Sequence, residues 1–74
     1  MAFEYSKLRG RIVEKCGTAQ EFARAMGLSP GQVSWLLNNR ADWRPARILK
    51  ACEILDIDPA DISTYFFTVE VKKT

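Results

Sequence analysis

Apolar residues recur along this chain at helical spacing until the last ten residues, where the period changes. Leu8, Ile12 and Cys16 fall four apart, with Val13 beside them. Phe22, Ala23 and Met26 follow, then Val33, Leu36 and Leu37, then Ile48, Leu49, Cys52 and Leu55. Each set lines one side of a helix, so four short amphipathic helices are expected, with Ile62 packing a short fifth. After Tyr65 the pattern becomes an alternation: Phe67, Val69 and Val71 are separated by Thr68 and Glu70. Period two predicts a strand, over residues 66–72. The expected fold is all-α, five short helices in one domain of residues 1–74, with a C-terminal β-strand. That strand needs a partner. The candidates are residues 2–5 of the same chain and the same strand of a second copy, which would make a two-fold dimer through Phe66, Phe67, Val69 and Val71.

The breaks between these sets carry their own signals. Ser6 is placed to cap the first helix and Gly17 to end it. Gly10 lies inside that helix, at a cost of about 1 kcal/mol relative to alanine. Thr18 can cap the second helix, with Glu21 three residues on to close a capping box. Gly27 sits where the chain must turn, a position that often needs positive φ. Ser29, Pro30 and Gln32 then restart a helix as N-cap, first helical residue and box partner. Asn39 tolerates a left-handed backbone and suits a helix end. Arg44-Pro45 opens the fourth helix and Asp58-Pro59 the fifth. Residues 18–38 thus read as two helices joined at Gly27-Leu28-Ser29, the grammar of a helix-turn-helix, whose second helix enters a DNA major groove.

Counted at roughly 100° per residue from Val33, the exposed face of helix 29–38 carries Ser29, Gly31, Gln32, Ser34, Trp35 and Asn38. Amide and hydroxyl groups there suit base edges. Gln32 fits two roles, base reader and capping partner of Ser29. Trp35 is placed to meet a thymine methyl or a sugar; the bland reading folds it back onto Trp43 or uses it in a crystal or dimer contact.

Composition removes other classes of function. The 74 residues contain no histidine and two cysteines. Cys16 and Cys52 are too few and too far apart for a disulfide framework or a zinc site, and their places on apolar stripes read as buried thiols. No apolar run approaches the roughly 18–20 residues of a membrane span. The N-terminus lacks the basic and apolar regions of a signal peptide. A cytoplasmic protein without metal, cofactor or enzymatic activity is the expectation. Net charge is only +2, but it is unevenly spread. Residues 1–50 hold nine Lys/Arg against four Asp/Glu, whereas residues 51–74 hold two against five. The basic part contains the candidate reading helix, as a DNA-binding face requires.

The stretch with Ala23, Gly27, Leu28, Val33 and Leu36 resembles the helix-turn-helix of small phage Cro and CI repressors. The whole chain, from Tyr5-Ser6-Lys7-Leu8-Arg9-Gly10 through Leu37-Asn38-Asn39 to Tyr65-Phe66-Phe67, resembles short phage-associated Cro-like proteins of Gram-positive bacteria and their prophages, largely of unknown function. The resemblance implies a lambda-repressor-like bundle. It also implies a dimeric regulator of transcription that binds double-stranded DNA, probing it with helix 29–38. Thr18, Gln20, Arg40, Arg44 and Arg47 would then lie against phosphates, with Lys7, Arg11 and Arg24 as weaker candidates. One departure stands out. Many such motifs begin with a phosphate-contacting glutamine, and here that position is Ala19, with Gln20 next to it. A second function fits the same fold: a protein-interaction module, an antirepressor or co-regulator, with Trp35 and Trp43 on its binding face.

Overall fold

Each break in the hydrophobic pattern becomes a helix end in the computed structural model, which describes residues 3–69. Five α-helices follow in order: α1 Ser6–Cys16, α2 Ala19–Met26, α3 Pro30–Leu37, α4 Pro45–Leu55 and α5 Ile62–Phe66, the last preceded by a 3-10 turn at Pro59–Asp61. Gly17 (φ 85°) closes α1 and Gly27 (φ 73°) closes α2. Both need the positive φ that only glycine adopts without steric cost. Asn39 (φ 60°) turns the chain after α3, as its short polar side chain permits. Thr18 accepts from the Glu21 amide and Asp58 from the Ala60 amide, so both serve as caps. Ser6 does not. Tyr5 holds the N-cap position of α1 without a side-chain bond, and the Ser6 hydroxyl donates to Glu4 instead.

The core lies where the helical stripes converge. Leu8 and Ile12 of α1 meet Phe22 and Met26 of α2, Val33 and Leu37 of α3, Ala51 and Leu55 of α4, and Phe66 of α5. Helix α1 packs on α2, α4 and α5, while α2 packs on α3 and α4. Two apolar residues expected on inward stripes lie outside. Val13 is 62% exposed and Leu49 58%. Each sits at the margin of a stripe, where one helical step carries the side chain into solvent. Nothing packs over Gly10. Cys16 is half-buried and Cys52 buried, both as free thiols. Burial pushes both thiols up, helped at Cys16 by the nearby Glu21 carboxylate.

The expected C-terminal β-strand does not form over its described residues, 66–69. The described residues contain no strand or sheet, only one isolated antiparallel bridge between Phe3 and Val69. Helical bonding runs into the segment that alternates. Phe66 ends α5, the Phe67 amide donates to Ser63, and the Thr68 hydroxyl donates to the Thr64 carbonyl. A helix-end bond takes up the Phe67 amide that a strand would offer to a neighbour, and among the described residues the Thr68 carbonyl accepts across the gap, from the Glu4 amide at 2.7 Å. The all-α class stands. Residues 70–72 of the expected strand, Val71 among them, lie outside the described residues.

Two arginines of α1 fix the ends of other helices. One guanidinium nitrogen of Arg9 donates to the Leu37 carbonyl (3.0 Å) and to Asn38 Oδ1 (3.2 Å), at the end of α3. Arg11 donates to the Leu55 and Asp56 carbonyls, both at 2.8 Å, at the end of α4. Helix C-termini leave carbonyls unpaired and carry partial negative charge, so a cation there satisfies both. Asp56 itself takes a left-handed conformation (φ 53°) at that end.

Candidate functional site

Helix α3 presents the face its sequence predicts. Val33, Leu36 and Leu37 are buried, while Ser29, Gly31, Ser34, Trp35 and Asn38 are exposed and Gln32 is half-exposed. The polar atoms of this face are largely engaged within the chain. Ser29 and Gln32 form a complete capping box: the Gln32 amide donates to Ser29 Oγ at 3.2 Å and the Ser29 amide donates to Gln32 Oε1 at 3.0 Å. Asn38 Nδ2 donates to the Ser34 carbonyl (2.8 Å) and to Ser34 Oγ (3.2 Å), while its Oδ1 accepts from Arg9. The two amides best suited to adenine therefore each hold a structural bond. The unengaged feature of the face is apolar. Trp35 is 56% exposed. It does not fold onto Trp43, whose ring instead meets Phe66 edge-on at 4.9 Å.

The cations around this face separate into two groups. Arg9 and Arg11 are bound to helix ends. Arg40, Arg44 and Arg47 lie after α3, the first two exposed and the third half-exposed, and none makes an ion pair among the described residues. Arg24 pairs at 3.8 Å with Glu21, both largely exposed, a geometry worth little in water. Thr18 is spent as a cap. Gln20 is exposed and borders a shallow cleft with Arg24, Leu28 and Pro30, beside the start of α3. Of the expected dimer residues, Phe66 is fully buried within its own chain and cannot present a surface; Phe67 and Val69 remain 45% and 42% exposed. No cluster of metal-ligating side chains occurs among the described residues, and no helix there is long and apolar enough to cross a membrane.

Three features escape a reading of the sequence: the end-capping of Arg9 and Arg11, the pinning of the N-terminal segment by Asn39, and a cleft beside it. Asn39 clamps Phe3 from both sides, its Oδ1 accepting from the Phe3 amide at 2.9 Å and its Nδ2 donating to the Phe3 carbonyl at 2.8 Å. These contacts join residues 36 positions apart, and no local spacing announces them.

Residues 1–69 match the family described as "Protein of unknown function (DUF739)". The chain belongs to that family. No curated protein matches it. Among solved structures, this DUF739 chain is similar to the modulator of repression of the temperate bacteriophage TP901-1 from Lactococcus lactis, known from a solution structure. The two are 49% identical, the match covers 97% of each chain, and the TM-score is 0.82. The phage association implied by the flanking residues agrees with this relative. The finer expectation of a Cro or CI repressor does not come with it, since the relative is named for modulating repression.

Proposed function

We propose that this protein modulates a phage repressor by binding the repressor protein itself, using the exposed face of α3 and the cations that follow it. One observation carries the proposal: 49% identity over 97% of both chains to a phage modulator of repression, at a TM-score of 0.82. Sequences this similar over their whole length share a fold and the broad character of their surfaces. A modulator of repression can act on the repressor or on its operator. The chemistry of α3 favours the repressor. Gln32 and Asn38 are engaged in caps, and an exposed tryptophan supplies the large, rigid contact typical of protein interfaces. Arg40, Arg44 and Arg47 supply a basic rim suited to an acidic partner surface, and the site of action would be the cytoplasm, where repressor and operator meet.

A second reading keeps the helix-turn-helix as a DNA reader. It is favoured by the same three unpaired arginines beside a helix of groove-entering size, and it would need a dimer to join two half-sites roughly 34 Å apart. The test that separates them is light scattering on a chromatographed, nuclease-treated mixture with a repressor from the same phage or prophage. A joint peak whose mass equals both proteins, lost in Trp35→Ala, supports the proposal. Separate peaks for the two proteins would remove it.

A further inference from the structure

Beside the α3 end, four aromatic residues surround a cleft of about 310 Å³, close to the lower end of the size range of small-ligand sites, roughly 300–1,000 Å³. Phe3, Tyr5, Trp43 and Phe67 line it, with Asn39 and Asp42 at its polar side. The rings are held in place by one another. Phe3 meets Phe67 edge-on at 5.6 Å and Tyr5 at 6.4 Å, and Trp43 is set against the buried Phe66. Asn39 holds Phe3 by its backbone on both sides, so that wall is fixed from behind. The cleft is open: Phe67 is 45% exposed, and Asp42 is exposed.

Asp42 is the unusual member. The basic part of the chain has four acidic residues, and three are engaged: Glu4 accepts from Ser6, Glu14 pairs with Arg11, and Glu21 with Arg24. Asp42 makes no hydrogen bond or ion pair from its side chain among the described residues, although Arg40 and Arg44 stand two positions to either side. Its charge is felt inside the cleft, where burial first and Asp42 second push the Tyr5 hydroxyl up. Trp43 Nε1 is buried with no acceptor among the described residues, so the ring is set by its edge contact with Phe66 rather than by a hydrogen bond.

Aromatic walls attract a cation through their negative faces, and a carboxylate at the rim adds a charge of the right sign. A phosphate or an acidic peptide would meet neither. Of the two cationic side chains, a planar guanidinium can both stack on a ring and pair with a carboxylate, whereas an ammonium is more strongly hydrated. We propose that the cleft between Phe3, Tyr5, Trp43 and Phe67, with Asp42 at its rim, receives an arginine side chain presented by a protein partner. The assignment does not depend on what the α3 face docks. The occupant is recognised through its own positive charge, whereas the arginines after α3 call for a negative surface.

The test is a nitrogen–proton NMR titration of the full chain with N-acetyl-arginine methylamide, with the neutral isostere N-acetyl-citrulline methylamide in parallel. The expected result is saturable shifts at the Trp43 indole and at the Asn39, Asp42 and Phe67 amides in the millimolar range. They should be at least fivefold weaker with the citrulline compound and in Asp42→Asn. Asp42 is exposed and makes no side-chain bond among the described residues, so that variant should fold as the parent does. Shifts equal for both compounds, shifts confined to Trp35, or shifts unchanged in Asp42→Asn would each overturn the proposal. A flat titration at these positions would do so as well.

Discussion

The arginines of α1 and those after α3 look alike in the sequence and behave as opposites in the structure. Arg9 and Arg11 sit within a basic run, Lys7 to Lys15, in which Lys7 and Arg11 are weaker candidates for phosphate contact. Arg9 and Arg11 are bound to carbonyls at the ends of α3 and α4. Arg40, Arg44 and Arg47 sit in a mixed loop and helix start containing an acid and a tryptophan, and they make no ion pair among the described residues. Charge count therefore does not tell which cations are available to a partner. Helix C-termini draw in some of them, because unpaired carbonyls and the helix dipole are already negative. The cations left after that internal use are the ones still open to a partner.

The contrast can be broken or sharpened by substitution, and the largest effect belongs to neither arginine group but to the apolar residue between them. Trp35→Ala should leave thermal stability within about 0.5 kcal/mol, since the ring is mostly exposed. It should weaken a repressor complex by about 2 kcal/mol or more, as an aromatic anchor does. Calorimetric titration and a thermal melt on one sample check both halves. Arg11→Ala should destabilise the fold by about 2 kcal/mol, from two charge-assisted bonds at a helix end. For a chain this short that lowers the melting midpoint by about 10 °C. Arg9→Ala should cost about 1 kcal/mol, its bonds being longer and partly exposed. The triple change of Arg40, Arg44 and Arg47 to alanine should shift stability by less than about 0.5 kcal/mol per site while abolishing the salt sensitivity of partner binding. If instead Arg11→Ala melts like the parent and Arg44→Ala does not, the division between the two groups is wrong.

The smallest effect lies on the alkaline side. Tyr5, Cys16 and Cys52 each have a raised pKa in the folded chain, in each case chiefly through burial. A group raised on folding holds its proton more tightly when native. Its contribution is fully present below the unfolded value and is lost as pH rises through the folded one. Stability should thus be flat near neutrality and fall above the ordinary thiol value of 9.0. Urea melts at pH 7, 8 and 10 read this directly, and Cys52→Ala should show a shallower alkaline decline than the parent.

Much of the fold is legible in the sequence because its signals are local. Gly17, Gly27, the Ser29-Gln32 box and Pro45 each specify a helix end within four residues, and each helix ends where they say. The exposed face of α3 follows from the same spacing. The tail misleads because alternation at Phe67, Val69 and Val71 is only three residues deep, and the end bonds of α5 claim the backbone first. Leu49 and Val13 mislead because the stripe pattern does not fix where its margin falls. The role of Gln32 rests on a choice between two geometries that composition leaves open, and the box occupies it. Least legible are the contacts that join distant segments: Arg9 to α3, Arg11 to α4 and Asn39 to Phe3. They depend on how helices pack, and the same residues in another bundle would be free.

Whether α3 meets protein or reads DNA separates the two functions. The deciding measurement is selection from a randomised duplex library at near-physiological salt, run with this protein alone, with a repressor from the same phage or prophage alone, and with both. This protein alone should enrich no sequence, and adding it should change what the repressor enriches. Enrichment by this protein alone of a palindrome with half-sites one helical turn apart, with the repressor's own selection unchanged, would contradict the proposal.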